Sequence, residues 1–526
     1  MRYSPKINQP QPLRQATRHR QGVVLFMVVS IILMMSLLVY AFLISMQAQS
    51  QAATQAGDQL QARQAAFSAR EILCQFLESP YSDRMPLNES TPGESPLDSI
   101  LMNFEGELPE ELTARGFVLS GLTSFQSGVV NESAKINLQT LVSLDQANPG
   151  WGREVLLRLP EMTESIADHL LDWMDPDDEA REFGAESEFY LENFGFTPRN
   201  SVPPTLLEFT KIPEIKPEWI SGVRSQPAQV DPFDNSNRKT DLAVESPPWS
   251  HFLTVNSAER NETFTGEPRL YLNGSNLAEI HTILTKKINI ETANFVILAR
   301  QYGTESQTSQ GISNSSLAMK QPGEITIDLT QPAQFEISSL LDLLGTTVRI
   351  GDLESESIES ESTETATYVQ SPFSGQNTTL NESLESFLDG TTVFGAKTIL
   401  GRVNISKAPR EVLLSVPGID EELASQIIST RRNHETTAKT SFWLLDAGLI
   451  TMEQMKSISP YITQRGEICQ ALVGGRSDAI SAPVVFETLL DATGETTRQI
   501  YSRRIVETHS IREFLNRLEN NQSRKP

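Results

Sequence analysis

The chain has 526 residues, enough for several domains, and a formal net charge of −24 from 67 acidic against 43 basic side chains. That field disfavours a general nucleic-acid role. The six histidines and two cysteines form no HExxH or Cys/His array, which argues against a zinc site. Cys74 and Cys469 could pair in an oxidising compartment, or Cys74 could be a small core residue on a helix; their separation decides nothing.

Residues 23–44, VVLFMVVSIILMMSLLVYAFLI, carry no charge, Pro or Gly. As a helix they extend about 33 Å, which matches a bilayer core of roughly 30 Å. Arg2, Lys6, Arg14, Arg18 and Arg20 precede them and the first acid is Asp58, so residues 1–20 are expected in the cytoplasm and everything after Ser45 beyond the membrane. A cleaved secretory signal has a shorter apolar core, about 7–15 residues, with a small-residue cleavage site after it. The stretch that follows has Gly57 as its one helix breaker and sets Ala66, Ala69, Ile72, Leu73, Phe76 and Leu77 at helical spacing. One rod is predicted from the membrane to near Ser79-Pro80.

An internal repeat follows. REVLLRLPEMTESIADHLL at 153–171 aligns without a gap to REVLLSVPGIDEELASQII at 410–428. Each copy predicts a short helix, a turn at Pro160 or Pro417, and a second helix capped by Thr163 or Asp420. This is a helix-hairpin-helix pattern. Such hairpins often hold DNA phosphates on a Gly-rich turn. Pro417-Gly418 would suit that role, with Arg431 and Arg432 nearby, but Glu161 in the first copy would repel a phosphate. A structural role is favoured, and nucleic acid remains the alternative.

Between the copies, LLEFTKI at 206–212 predicts a short helix or turn, and 222–249 an extended connection. Short strands followed by a helix are expected over 268–310. Alternating strands are expected over 319–350, with a helix start at Ser338-Ser339. LESESIESESTETAT at 353–367 reads as a solvated loop, and 372–387 has similar composition. Strands resume over 393–406, a small helix and an edge fall in 441–465, and 484–507 reads as a β-hairpin around Ala492-Thr493-Gly494. The tail 519–526 is expected to be disordered. No GxSxG, Walker, Rossmann or HExxH pattern is present, and no nucleophile has a plausible base, so no enzyme is predicted.

Gly22 before the apolar helix resembles the prepilin peptidase site of type IV pilin-like proteins. The resemblance implies cleavage after Gly22 and methylation of Val23. Most such subunits carry Glu as the fifth residue after the cut. Here that residue is Met27, a departure that resembles the minor pseudopilin K family of type II (general) secretion. ADHLLDWMDPDDEAREFGAESEFYLENFGFTPRNSVPPTLLEFTKI at 167–212, GRVNISKAPREVLLSVPGIDEELASQIISTRR at 401–432 and AKINLQT at 134–140 resemble blocks of that family. The likeness covers most of 15–212 and 393–507. Val23, where an aromatic is commoner, is a mild departure.

The resemblance implies an α+β fold: a long N-terminal transmembrane helix on a pilin-like antiparallel sheet, with a large, mostly helical inserted domain. The implied division is a leader at 1–22, the helix at 23–80, and the first part of the pilin-like domain at 81–145. A first hairpin unit with an acidic loop occupies 146–215, an enlarged middle region 216–392, a second hairpin unit 393–465 and closing strands 466–518. The implied role is at the tip of a periplasmic pseudopilus, anchored in the inner membrane. Its implied partners are minor pseudopilins I and J, the major pseudopilin, the prepilin peptidase and the inner-membrane secretion platform. A tip subunit of another pilus system, one with DNA contact, and a membrane-anchored adaptor are the alternatives. An unpaired charge in lipid is expensive, so a filament's first subunit, with no neighbour above it, is better served by Met27 than by Glu.

Asp172, Asp175, Asp177, Asp178, Glu179, Glu182, Glu186 and Glu188 crowd together after a predicted helix. Oxygen-rich sets suit Ca²⁺, and calcium is known in some members of the family, but the EF-hand pattern is not met. A structural Ca²⁺ on Asp175, Asp177 and Glu186 is one expectation, and a solvated acidic loop is the other.

Overall fold

The computed structural model describes residues 20–84, 114–119, 129–221, 246–306, 319–350, 367–373, 382–431, 439–477 and 484–505. The leader up to residue 19, most of the connection at 222–249, the acidic loop at 353–366, Arg432 and the tail lie outside the described residues.

The first helix, α1 (Arg20–Glu78), runs unbroken for 59 residues, about 88 Å at 1.5 Å per residue. Its first half is apolar and exposed all round. Further along, Ala62, Ala66, Ala69, Leu73 and Leu77 recur every three or four residues and are buried on one face. The helix stops before Pro80, as expected, and Arg84 donates from Nη2 to the Leu77 carbonyl (2.6 Å) and from Nε to that of Ser79 (2.9 Å). These bonds satisfy carbonyls that a helix end leaves open.

In chain order come β1 (Ala114–Leu119), β2 (Val130–Asn131) and β3 (Ile136–Asn137). The helices α2 (Leu138–Ala147), α3 (Trp151–Leu156), α4 (Glu164–Met174) and α5 (Ser187–Phe194) follow. The middle region gives β4 (Leu253–Thr254), α6 (Leu277–Lys287), α7 (Ile290–Tyr302) and α8 (Glu382–Gly390). The chain ends with β5 (Val403–Asn404), α9 (Arg410–Leu413), α10 (Glu421–Thr430), α11 (Met452–Ile458), β6 (Ile462–Thr463), β7 (Ile468–Ser477), β8 (Val484–Asp491) and β9 (Arg498–Ile505).

The sheet order is β1-β7-β8-β9, all antiparallel, with β2 pairing the start of β7. The predicted hairpin is β8 and β9. The sheet is therefore closed by strands from both sides of an insertion, and α1 packs on one face of it, burying Val473, Val484, Phe486 and Leu490. Cys74 on α1 and Cys469 on β7 are free thiols within this layer, and burial pushes the Cys469 thiol up to about 12. A second, larger core runs without interruption through both hairpin units and the middle region.

Two local expectations are corrected. Residues 382–390 form α8, because Leu384, Phe387 and Leu388 make an apolar stripe that is buried despite its Ser/Glu-rich setting. Within 268–310 the described strands are Leu270–Tyr271 and Glu305–Ser306, with two helices between them; KKINI is a helix end and a cap, with Asn289 accepting from the Thr292 N–H (2.8 Å).

The repeat is structural and longer than its sequence match. β3 pairs in parallel with β4, and β5 with β6. Asn137 and Asn404 each accept from the N–H two residues on, at 2.9 and 3.0 Å. Thr254 donates to Glu132 and Thr463 to Glu259. Thr163 and Asp420 cap α4 and α10, as predicted. Arg158 of the first hairpin donates to the Leu414 carbonyl of the second.

At matching turn positions, Glu161 and Gly418 both take positive φ, 60° and 90°. Only Gly is at ease there; an L-residue loses about 1–2 kcal/mol. Glu161 is exposed. Glu161→Gly is therefore expected to raise stability by about 0.5–1 kcal/mol after its extra unfolded-state entropy. Chemical denaturation measures this, and a loss would refute the strain argument.

Candidate cation site and the helix hairpins

Gly22 and Val23 lie in the first turn of α1, and Met27 stands one turn further on its exposed apolar surface, 63% accessible. Glu161 and Gly418 are exposed at the hairpin turns, but neighbouring atoms of each turn pack against the protein. The Pro160 carbonyl accepts from the Trp249 indole N–H at 2.8 Å, and a Cβ on Gly418 would stand 3.1 Å from Ile458 Cγ2. Arg431 donates Nη1 to the Ala408 carbonyl at 2.7 Å. Gly418 and Arg431 thus serve contacts within the second hairpin unit.

The acidic run is built differently from a solvated loop. Asp172 lies one turn before the end of α4 and Asp175 is its C-cap, so both point from one helix face. Glu186 precedes α5. Carboxylate oxygens of Asp172, Asp175 and Glu186 lie within 4.8 Å of one another, and all three residues are buried. Asp177 is exposed and turned into its own loop, accepting from the Glu179 N–H at 3.0 Å. Asp172, not Asp177, completes the cluster.

One guanidinium faces this charge. Arg181 donates from Nη1 to Asp172 and Asp175, and from Nη2 to Asp145 at 2.9 Å. Asp145 also accepts the N–H groups of Gly150 (3.1 Å) and Gly152 (2.8 Å). Gly184 lies so close that a Cβ there would stand 1.9 Å from Asp172 Oδ2. Asp168 is a separate pair, bound by Arg153 and by the Phe183 N–H.

The balance leaves acid in excess. Among the described residues, both Glu186 oxygens and Asp175 Oδ1 are buried without a hydrogen-bond partner. Burial, then Asp172 and Asp175, push the Glu186 carboxyl up to about 8. Burial also raises Asp172 and Asp175, against the lowering pull of Arg181. Orphaned, clustered carboxylate oxygens are hard donors of the kind Ca²⁺ takes, so the residues fit such an ion. Sequence reading missed Arg181, Asp145 and Gly184; the helical i, i+3 spacing of Asp172 and Asp175 was the available signal.

Residues 134–225, which hold this site and the first hairpin, match the family model for type II secretion system protein K. The likeness to type II secretion protein K is that of this segment. No curated protein and no solved structure matches it. That segment's likeness points to a part in type II secretion. The N-terminal helix is long and apolar enough to cross a membrane.

Proposed function

We propose that this chain is a minor pseudopilin that starts the pseudopilus and remains at its tip, with its bulk on the periplasmic side and its helix in the inner membrane. The observation that carries the reading is Met27, an apolar residue on the lipid-exposed part of α1. A subunit with nothing above it gains nothing from a carboxylate in lipid, where an acidic residue costs about 2.5–3.5 kcal/mol at a helix centre. The inserted domain supports it too, because everything between β2 and β7 is added to one pilin-like sheet and would cap a filament. The prepilin peptidase is the enzyme that would release Val23, and minor pseudopilins I and J and the major pseudopilin are the neighbours below. The function is structural, not catalytic. A structural Ca²⁺ on Asp172, Asp175 and Glu186 would brace the inserted domain.

Mass spectrometry of protein taken from working membranes is expected to find methylated Val23 as the first residue. Met27→Glu is expected to lower secretion, with the protein still inserted. An intact leader in working assemblies, or full secretion by the variant, would sink the reading.

A further inference from the structure

A second site lies far along the sequence from the acidic cluster. A cavity of about 140 Å³ is lined by Arg269, Arg402, Lys439 and Arg465, with Ser and Thr hydroxyls between them. Arg402 is committed to Glu259 (2.9 Å) and to the Ser459 and Pro460 carbonyls. Arg465 is committed to Asp389 (2.7 Å) and to the Glu262 and Lys439 carbonyls. Lys439 leans outward to Glu385 at 3.3 Å. Arg269 is left over: its Nε donates to the Asp389 carbonyl (3.0 Å), but its nearest carboxylate contact, Nη2 to Asp389, is 3.7 Å, too long for a hydrogen bond. The Asp389 carboxylate is already shared with Arg465 and the Phe264 N–H.

Two carboxylates, Glu259 and Asp389, thus face three guanidinium groups, inside a protein of net charge −24. The Arg269 side chain is only 12% exposed. Gln464, which also lines the cavity and is 6% exposed, keeps its Nε2 buried without a partner. Burial, then the charge of Arg465, bring the Arg269 guanidinium down to about 10, the direction expected for a cation short of counter-charge. A planar guanidinium with free donors matches phosphate and carboxylate geometry.

We propose that this cavity is an anion site, in which Arg269 holds a small oxyanion of the phosphate or carboxylate type. The ligand joins the 253–272 segment to the segments around Thr391 and Thr440, which otherwise meet over unbalanced positive charge.

The test is calorimetric titration of the full chain in detergent micelles with inorganic phosphate, and separately with acetate, at ionic strength fixed with sodium chloride. Saturable, single-site binding in the millimolar range or tighter is expected. Saturation by phosphate alone identifies a phosphate group as the ligand, and saturation by acetate as well identifies a carboxylate. Arg269→Gln is expected to weaken binding at least about tenfold, the loss of a charge-assisted hydrogen bond. Thr440→Glu, which places a carboxylate in the cavity and keeps every arginine, is expected to abolish binding with the fold intact, and it decides the matter if Arg269→Gln fails to fold. Heats no larger than chloride produces, or unchanged affinity in Thr440→Glu, would overturn the proposal.

Discussion

Removing calcium is expected to lower the unfolding midpoint of this protein, and Glu186→Gln is expected to remove most of the difference. Three buried carboxylates, Asp145, Asp172 and Asp175, pair with Arg181, and the buried Glu186 clusters with Asp172 and Asp175 without an ion-pair partner among the described residues. Three of their oxygens have no partner. A bound Ca²⁺ would supply both the missing positive charge and a partner for those oxygens. At a hundredfold excess over its dissociation constant it stabilises by about 2.7 kcal/mol, or about 5–10 °C for a domain of this size. Differential scanning calorimetry with calcium and with EDTA measures the shift.

The pH dependence has a definite sign. Without the ion, Glu186 keeps its proton to about pH 8 when folded and loses it near the ordinary 4.5 when unfolded. The folded chain binds the extra proton between those values, so ion-free stability falls as pH rises through that window. Calcium takes the proton's place, so its binding releases protons and strengthens toward pH 8. Glu186→Gln is neutral throughout and is expected to flatten the slope. Equal midpoints with calcium and EDTA, or an unchanged slope in the variant, would return Asp172, Asp175 and Glu186 to a purely ionic cluster around Arg181.

What the sequence made legible was local or repeated. α1 could be read because Val23–Ile44 lacks any breaker and Ala62 to Leu77 keep one face. The hairpins could be read because two copies carry the same apolar spacing. The insertion could be read from the order of strand and helix patterns along the chain. Of the three residues expected to hold a cation, Asp175 and Glu186 lie in the buried carboxylate cluster and Asp177 does not. Asp177 is as acidic as Asp172, but only the latter lies on the buried face of α4. α8 was hidden because Ser and Glu dominate its composition while only Leu384, Phe387 and Leu388 decide its burial. The pairing of Thr254 with Glu132 and of Thr463 with Glu259, and the meeting of Arg269 with Arg402 and Arg465, join residues far apart in sequence. No local pattern encodes such contacts.

Gly475→Ala is expected to separate the rod from the sheet. Gly475 lies in β7, opposite Gly116 of β1 and Val484 of β8. A Cβ at this position would stand 1.9 Å from the Ala62 carbonyl oxygen and 2.5 Å from the Ala66 N of α1. Both atoms are main chain, so no side-chain rotation relieves the clash. The helix must lift from the strand along the face that Ala62, Ala66 and Ala69 make narrow enough for this approach. Lifting it exposes Leu73, Leu77, Val473 and Phe486, and loosens the Phe67–Phe486 ring contact at 5.4 Å. Overpacking a tight core costs about 1–3 kcal/mol where side chains can yield, and a backbone clash should reach or exceed about 3 kcal/mol. Gly57→Ala is the matched control: that glycine lies in α1 with nothing near its missing Cβ. There the gain in helix propensity should stabilise by about 0.8–1 kcal/mol. Limited proteolysis between residues 50 and 80, together with denaturant midpoints, separates the two variants. If Gly475→Ala protects this part of α1 as well as the parent does, the rod is held by something other than its close approach to β7. Force along the rod could then not be passed to the inserted domain through this sheet.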